Sequence, residues 1–316
     1  MLYSEGRASV AAALVCTPMT RRELLGLFAG ATAAAAHAGS GERRDAAEPV
    51  SYRRYRADAT ILLFSIPIYS RSGVGGGWAA SASEGPKRRL SFAAGSEPAR
   101  ARGLNRLGYI EEEVLESGAA VERAAYFGFM TSSREDSIDE ARRALESKAD
   151  AVPYEAIQGN LRPGDCRNRG ACFACEPGLG WSNLETIKVR ALEAVGAAGD
   201  RPVDARAPVP FLFALTRAMH ARGRKLVQPF VYGAHPHELQ TEKHPDEGAG
   251  QRFARAGFAC DPERIYKIDG RIRDLVTGKQ NRFSLWFEEG CPVPLRFDVK
   301  VRSFLRLTFE AERHEA

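Results

Sequence analysis

Three cysteines, Cys166, Cys172 and Cys175, lie close together in the spacing Cys-x5-Cys-x2-Cys. A two-residue gap is common in zinc and redox sites, because it lets two thiolates face one ion or each other. A fourth ligand from His235, His237 or Cys260 would complete a tetrahedral site for zinc. Disulfide formation is the competing chemistry. With Cys260 and Cys291, five of the chain's six cysteines follow residue 38. In an oxidising compartment five cysteines favour two disulfides and one thiol left over, ahead of a metal and ahead of a redox-active pair. Cys260 and Cys291 could form one of those bridges if their loops emerge at the same end of a sheet, closing a loop of about 30 residues. A second set is His235-Pro236-His237, with His244 nearby. Residues i and i+2 of a strand point to one side, so both imidazoles could meet a metal. The Pro, Glu, Lys and Asp around them favour a solvated turn. No Gly-x-Ser-x-Gly elbow, His-Glu-x-x-His helix or complete nucleophile set appears, so no catalytic residue is assigned and a cofactor stays unknown.

These residues must be positioned by strands. From Leu295 to Ala311 the odd positions Phe297, Val299, Val301, Leu305, Leu307 and Phe309 are apolar, while the even positions carry Arg296, Asp298, Lys300, Arg302, Arg306 and Glu310. Period 2 means a half-buried strand, and the parity survives Ser303, so this is one long bent strand or two joined by a tight turn. Phe283, Leu285 and Phe287 alternate upstream, and Glu289-Gly290-Cys291-Pro292 supplies the turn of a closing hairpin. Strand patterns also cover Tyr55 to Tyr69, Trp78 to Ala82, Arg88 to Phe92, Leu104 to Ser117, Val121 to Met130, Leu184 to Leu192, Lys225 to Tyr232, Pro236 to Glu242 and Ile265 to Ile268. Gly73 to Gly77 lack the Gly-Lys-Ser/Thr ending of a phosphate loop and predict a hairpin with a bulge. Helices are predicted at Ser137 to Lys148, with a capping box, and at Phe211 to Ala221, between Pro210 and Gly223. Gly159 to Gly180 and Pro245 to Gly257 read as loops. The fold class is mainly β, a curved antiparallel sheet or barrel with one or two covering helices.

The first residues point to a compartment. Arg21 and Arg22 form a twin-arginine pattern, followed by the apolar run Leu24 to Ala36 and a small-x-small cleavage site at Ala36 and Ala38. Residues 1–38 are thus a signal peptide read by the twin-arginine export machinery, 39–51 a flexible linker, and 52–316 a single β-rich domain with a cysteine-bearing loop insertion at 159–180. Export places the mature chain in the periplasm or outside the cell. No other stretch is long and apolar enough to predict a membrane span after cleavage. The net charge is +5, with 45 Lys and Arg interleaved among 40 Asp and Glu. No basic run is backed by stacking aromatics, which argues against nucleic acid as a partner.

The order of a strand-rich N-terminal half, a helix ending in an arginine (Phe211-Leu212-Phe213-Ala214-Leu215-Thr216-Arg217), a strand after a glycine-basic turn, and a Leu285-Trp286 strand reaching Pro294-Leu295-Arg296 resembles a family of exported bacterial proteins, domain of unknown function 3108. The resemblance covers about residues 209–310. In that family acidic turn residues and then Pro-Val-Arg follow the Leu-Trp strand; here the acids are Glu288 and Glu289, and the turn is shorter by about one residue. It implies a curved antiparallel sheet or barrel in the cell envelope, and brings no catalytic residues. Two functions follow. One is a noncatalytic envelope protein that binds an apolar ligand or a partner in its barrel. The alternative is a metal- or thiol-dependent enzyme centred on Cys166, Cys172 and Cys175.

Overall fold

The computed structural model describes residues 51–63, 66–101, 105–118, 120–132, 151–205, 208–233, 235–258, 260–302 and 305–313. The expected signal peptide, nearly all of the expected linker and the helix expected at Ser137 to Lys148 lie outside the described residues. No described helix is long and apolar enough to cross a membrane.

Antiparallel pairing dominates. Strands β1 (Ser51–Leu63), β2 (Ile66–Glu84), β3 (Lys87–Ser96), β4 (Leu107–Ser117), β5 (Ala120–Thr131), β6 (Val152–Arg162), β7 (Asp165–Cys175) and β8 (Arg201–Pro202) form one meander. A second consists of β9 (Lys225–Tyr232), β10 (His235–Pro245), β11 (Ile265–Asp274), β12 (Gln280–Glu288), β13 (Arg296–Arg302) and β14 (Leu305–Ala311). The two meanders join where β14 pairs with β1, giving one sheet ordered β8-β7-β6-β5-β4-β3-β2-β1-β14-β13-β12-β11-β10-β9. The described chain thus begins and ends in the middle of its sheet, and β8 and β9 are the edges.

Helix α2 (Phe211–His220) lies against β3 and β4 and also against β9 and β10, strands far apart in the sheet order. Only a sheet curled round the helix brings both sets to it. Leu212, Phe213, Ala214 and Ala218 of α2 share one core with Ile110, Val114, Tyr126 and Leu161 on one side and Phe230, Val231 and Leu239 on the other. Tyr55, Ile268, Leu285, Phe297, Leu307 and Phe309 continue the inner face under Met219. The chain between β8 and α2 runs from one edge to the other: Val203 N donates to Cys166 O, and Val231 N to Val209 O. On the outer face, helix α1 (Leu184–Gly196) covers β6 and β7, burying Phe127, Phe129, Tyr154 and Phe173.

Several expectations change. Leu184 to Leu192 is helical, because Leu184, Ile187, Ala191 and Val195 are buried at spacings of three and four, whereas Val189 is exposed. The expected loop at Pro245 to Gly257 contains helix α3 (Glu247–Arg255), capped by Asp246 Oδ1, which accepts from Ala249 N at 2.9 Å. Its glycines and charges hid a short stripe of Ala249 and Phe253. The loop insertion at 159–180 is mostly the β6–β7 hairpin, turning at Gly164 with φ +78°. Away from its turn the hairpin is covered on both faces, by α1 on the outer one, so polar–apolar alternation is blurred there. Gly73 to Gly77 form no hairpin turn: β2 runs through them with a bulge against β1. Their size serves close approach, since a Cβ on Gly75 would lie 1.9 Å from Gly95 O. The long C-terminal arm resolves into β13 and β14, paired with each other.

Candidate functional site

The cysteine cluster does not assemble. All three residues sit on β7, where positions three apart face opposite sides of the sheet. Cys175 is buried under α1, while Cys166 packs into the inner core beside Leu161. Cys172 lies opposite Glu155 on the face away from Cys175, so this Cys-x2-Cys pair cannot close on one ion as it would in a turn. Burial pushes the Cys166 thiol up and the Cys175 thiol up to about 11, the reverse of what a thiolate nucleophile needs. Cys166, Cys175, Cys260 and Cys291 are free thiols. The loops holding Cys260 and Cys291 do meet: Asp261 N donates to Glu288 Oε1 at 3.4 Å, and Glu289 N to Arg264 O at 2.9 Å.

The histidines take separate partners. His235 Nδ1 is 2.8 Å from Asp274 Oδ2, and His244 Nε2 is 3.7 Å from Asp269 Oδ2. His237 stacks on Phe230 and donates from Nε2 to Tyr232 O at 3.0 Å, and burial lowers its pKa. Among the described residues no three His, Cys, Asp or Glu side chains converge on a metal-sized point. The donors expected for zinc therefore do not fit it in this arrangement.

What the fold does assemble is a plug with polar fastenings. Glu112 on β4 is 3% exposed, and its two oxygens accept from Leu212 N at 2.7 Å and Phe213 N at 2.9 Å. Its two oxygens satisfy N–H groups that the first turn of a helix leaves unpaired. At the other end, Lys243 Nζ on β10 donates to Ala221 O and, at 3.5 Å, to Met219 O. Burial is the largest influence on Glu112 and pushes its pKa from 4.5 up to about 8, against the opposing pull of the backbone N–H groups. This constellation holds α2 across the curl. With α2 and its core filling the inside, the candidate binding surface is the outer face.

There, strands β9 to β14 frame a groove of about 630 Å³. Arg271 lies opposite Arg282, and Lys300 opposite Arg306. Phe283 pairs with Val299, which puts Arg282 beside Lys300. Four cations thus form one row across β11, β12, β13 and β14, spanning about 14 Å at the usual strand separation. The acids of the groove are engaged elsewhere: Asp298 with Arg296 at 3.0 Å, Asp269 with Lys267 at 2.9 Å and Ser284 at 2.6 Å, and Glu242 with Arg224 at 3.2 Å. Among the described residues, Arg271, Arg282, Lys300 and Arg306 pair with no carboxylate, and Arg306 Nε is buried with no hydrogen-bond partner. Like charges directly opposite one another destabilise a sheet. A second outer hollow, near Lys87 and Arg167, is different, because those cations pair with Glu113 and Asp165.

No family model matches the chain. No curated protein matches it either. Among solved structures it is similar to the crystal structure of a beta-barrel-like protein of domain of unknown function DUF1849 from Brucella abortus, at 7% identity, a TM-score of 0.47, and coverage of 83% of this chain and 95% of that one.

Neither Glu112 nor the basic row stood out in the sequence. Glu112 sits on the apolar parity of β4, between Ile110 and Val114, and an acid at such a position was the available signal. The row is spread over 36 positions from Arg271 to Arg306 and becomes a row only through strand register.

Proposed function

We propose that this chain is an exported, noncatalytic binding protein of the cell envelope, whose groove over β9 to β14 takes an anionic ligand. The observation carrying the reading is the row Arg271, Arg282, Lys300 and Arg306, built at a cost in cross-strand repulsion and left without acidic partners among the described residues. An anion bridging those side chains removes the repulsion. The twin-arginine pattern at Arg21 and Arg22 supports export, and the resemblance to domain of unknown function 3108 supports an envelope location. Because α2 packs on the inner face among Ile110, Val114, Phe230 and Leu239, the ligand is assigned to the outer face, whereas an apolar ligand in the barrel was expected from sequence. A thiol- or metal-dependent enzyme has less support, because Cys175 faces the other side of β7 from Cys166 and Cys172.

Tripolyphosphate is the probe for the groove. Titration calorimetry should show saturable binding that weakens as ionic strength rises, and Arg282→Glu with Lys300→Glu should abolish it. Undiminished binding by that double variant would refute the groove assignment. Export has its own check: Arg21→Lys with Arg22→Lys should strand the precursor in the cytoplasm, and normal appearance of the protein beyond the inner membrane would overturn the assignment.

A further inference from the structure

We propose that the protein docks on an anionic phospholipid surface, with the apolar tips of the β1–β2 and β11–β12 hairpins entering the bilayer and the basic row lying against the headgroups. This rests on the reading of the row as an anion site and names its partner. The structure offers two kinds of surface toward the same end of the sheet. Large apolar side chains are exposed on the β1–β2 hairpin, with Ile61 opposite Tyr69 and Leu63 opposite Ile66; Ile66 is 65% exposed and Ile68 is 59% exposed. Leu275 and Val276, in the turn after β11, are exposed as well. Seven of the eleven exposed large hydrophobics among the described residues therefore belong to these two hairpins, so their exposure is concentrated and not scattered.

Position ties the tips to the charges. In the sheet, β2, β1, β14, β13, β12 and β11 are consecutive neighbours, and both hairpins turn at the same end of that stretch. Arg306, at one end of the row, lies opposite Thr60 on the outer face, and the next residue of β1, Ile61, starts the apolar tip with the inner-face parity of its partner Leu305. Arg271, at the other end, stands on β11 four residues before Leu275. The row thus crosses the strands that lie between the two hairpins, a few residues back from their apolar tips. Ile61 pairs with Leu305, the first residue of β14, so the β1–β2 hairpin continues past that strand by at least about 7 Å. That reach matches the depth at which apolar side chains enter the boundary between headgroups and acyl chains.

Apolar tips alone would suit any greasy partner, and the charges choose among them. Arg and Lys beside an inserted apolar segment are attracted by the negative potential of anionic lipids within a Debye length of the surface. A second copy of this chain would bring an identical basic row alongside the first, which repels. Charge complementarity therefore favours the lipid surface.

Cosedimentation of the purified protein with vesicles tests this. Vesicles of phosphatidylglycerol mixed with phosphatidylcholine should bind it, less so at high salt, and phosphatidylcholine alone should not. Ile66→Asp with Ile68→Asp should abolish binding, and Arg282→Glu with Lys300→Glu should weaken it by at least about tenfold. All four positions are at the surface, and thermal transitions matching the parent's would confirm that each variant is folded. Row-dependent binding of tripolyphosphate without vesicle binding would overturn the membrane inference and leave the anion groove standing. Failure to bind either probe would remove both. Equal binding to the two kinds of vesicle, unaffected by the row variant, would show that charge plays no part and refute the proposal. So would light scattering that finds a dimer dispersed by the tip variant, with no vesicle binding, since the tips would then be a contact between copies.

Discussion

Phe309→Ala should lower the free energy of unfolding by about 3–5 kcal/mol. The ring is buried on the inner face of β14, stacked on Phe297 with centroids 4.5 Å apart and planes 10° from parallel. Phe297 in turn meets Tyr55 edge-on at 5.3 Å and Phe92 at 4.9 Å. Truncation removes one layer from a cluster drawn from β1, β3, β13 and β14, at the seam where the two meanders join. Arg306→Ala, three residues earlier and on the outer face, should cost under about 1 kcal/mol. Urea denaturation of the two variants would compare them directly. Similar losses at both positions would mean that the assigned faces of β14 are wrong.

Glu112→Ala should cost about 2–4 kcal/mol, because it leaves Leu212 N and Phe213 N buried without an acceptor and opens a gap at the start of α2. The same residue gives stability a pH dependence whose sign follows from its raised pKa. In the unfolded chain the carboxyl ionises near its ordinary 4.5, whereas in the folded protein it keeps its proton up to about 8. Between those values the unfolded state binds fewer protons than the folded state, so this group's contribution is full below pH 4.5, falls as pH rises, and is lost above about 8. The slope is at most about 1.4 kcal/mol per pH unit. Denaturation midpoints measured across that window should decline for the parent, and the decline should be reduced in Glu112→Gln. A slope unchanged in the Gln variant would assign the pH dependence to other groups.

Much of the architecture was legible because its cause is local. Alternation in β13 and β14 correctly placed Phe297, Leu307 and Phe309 inside, with Val299 and Leu305 half-buried. The Pro210–Gly223 frame identified α2, and its role inside the sheet followed from the need to cover an apolar face. Where the local signal was ambiguous, the reading failed. Ile187, Val189 and Ala191 fit a strand for a few residues, and only the docking of α1 over Phe173 and Tyr154 decides that Val189 faces water.

By itself, then, the sequence determined a mainly antiparallel β protein with a helix against its apolar face, since side-chain period depends only on neighbours along the chain. Tertiary structure decided which residues share a place. The Cys-x2-Cys spacing suits a metal in a turn, but its location on β7 points the two sulfurs to opposite faces. Arg271, Arg282, Lys300 and Arg306 are ordinary polar-face residues until three strand registers bring them into one row. Glu112 meets the N-terminus of α2 across a separation of 100 residues. Such meetings are fixed by how the sheet curls and pairs, a property of the whole chain that spacing between near neighbours does not encode.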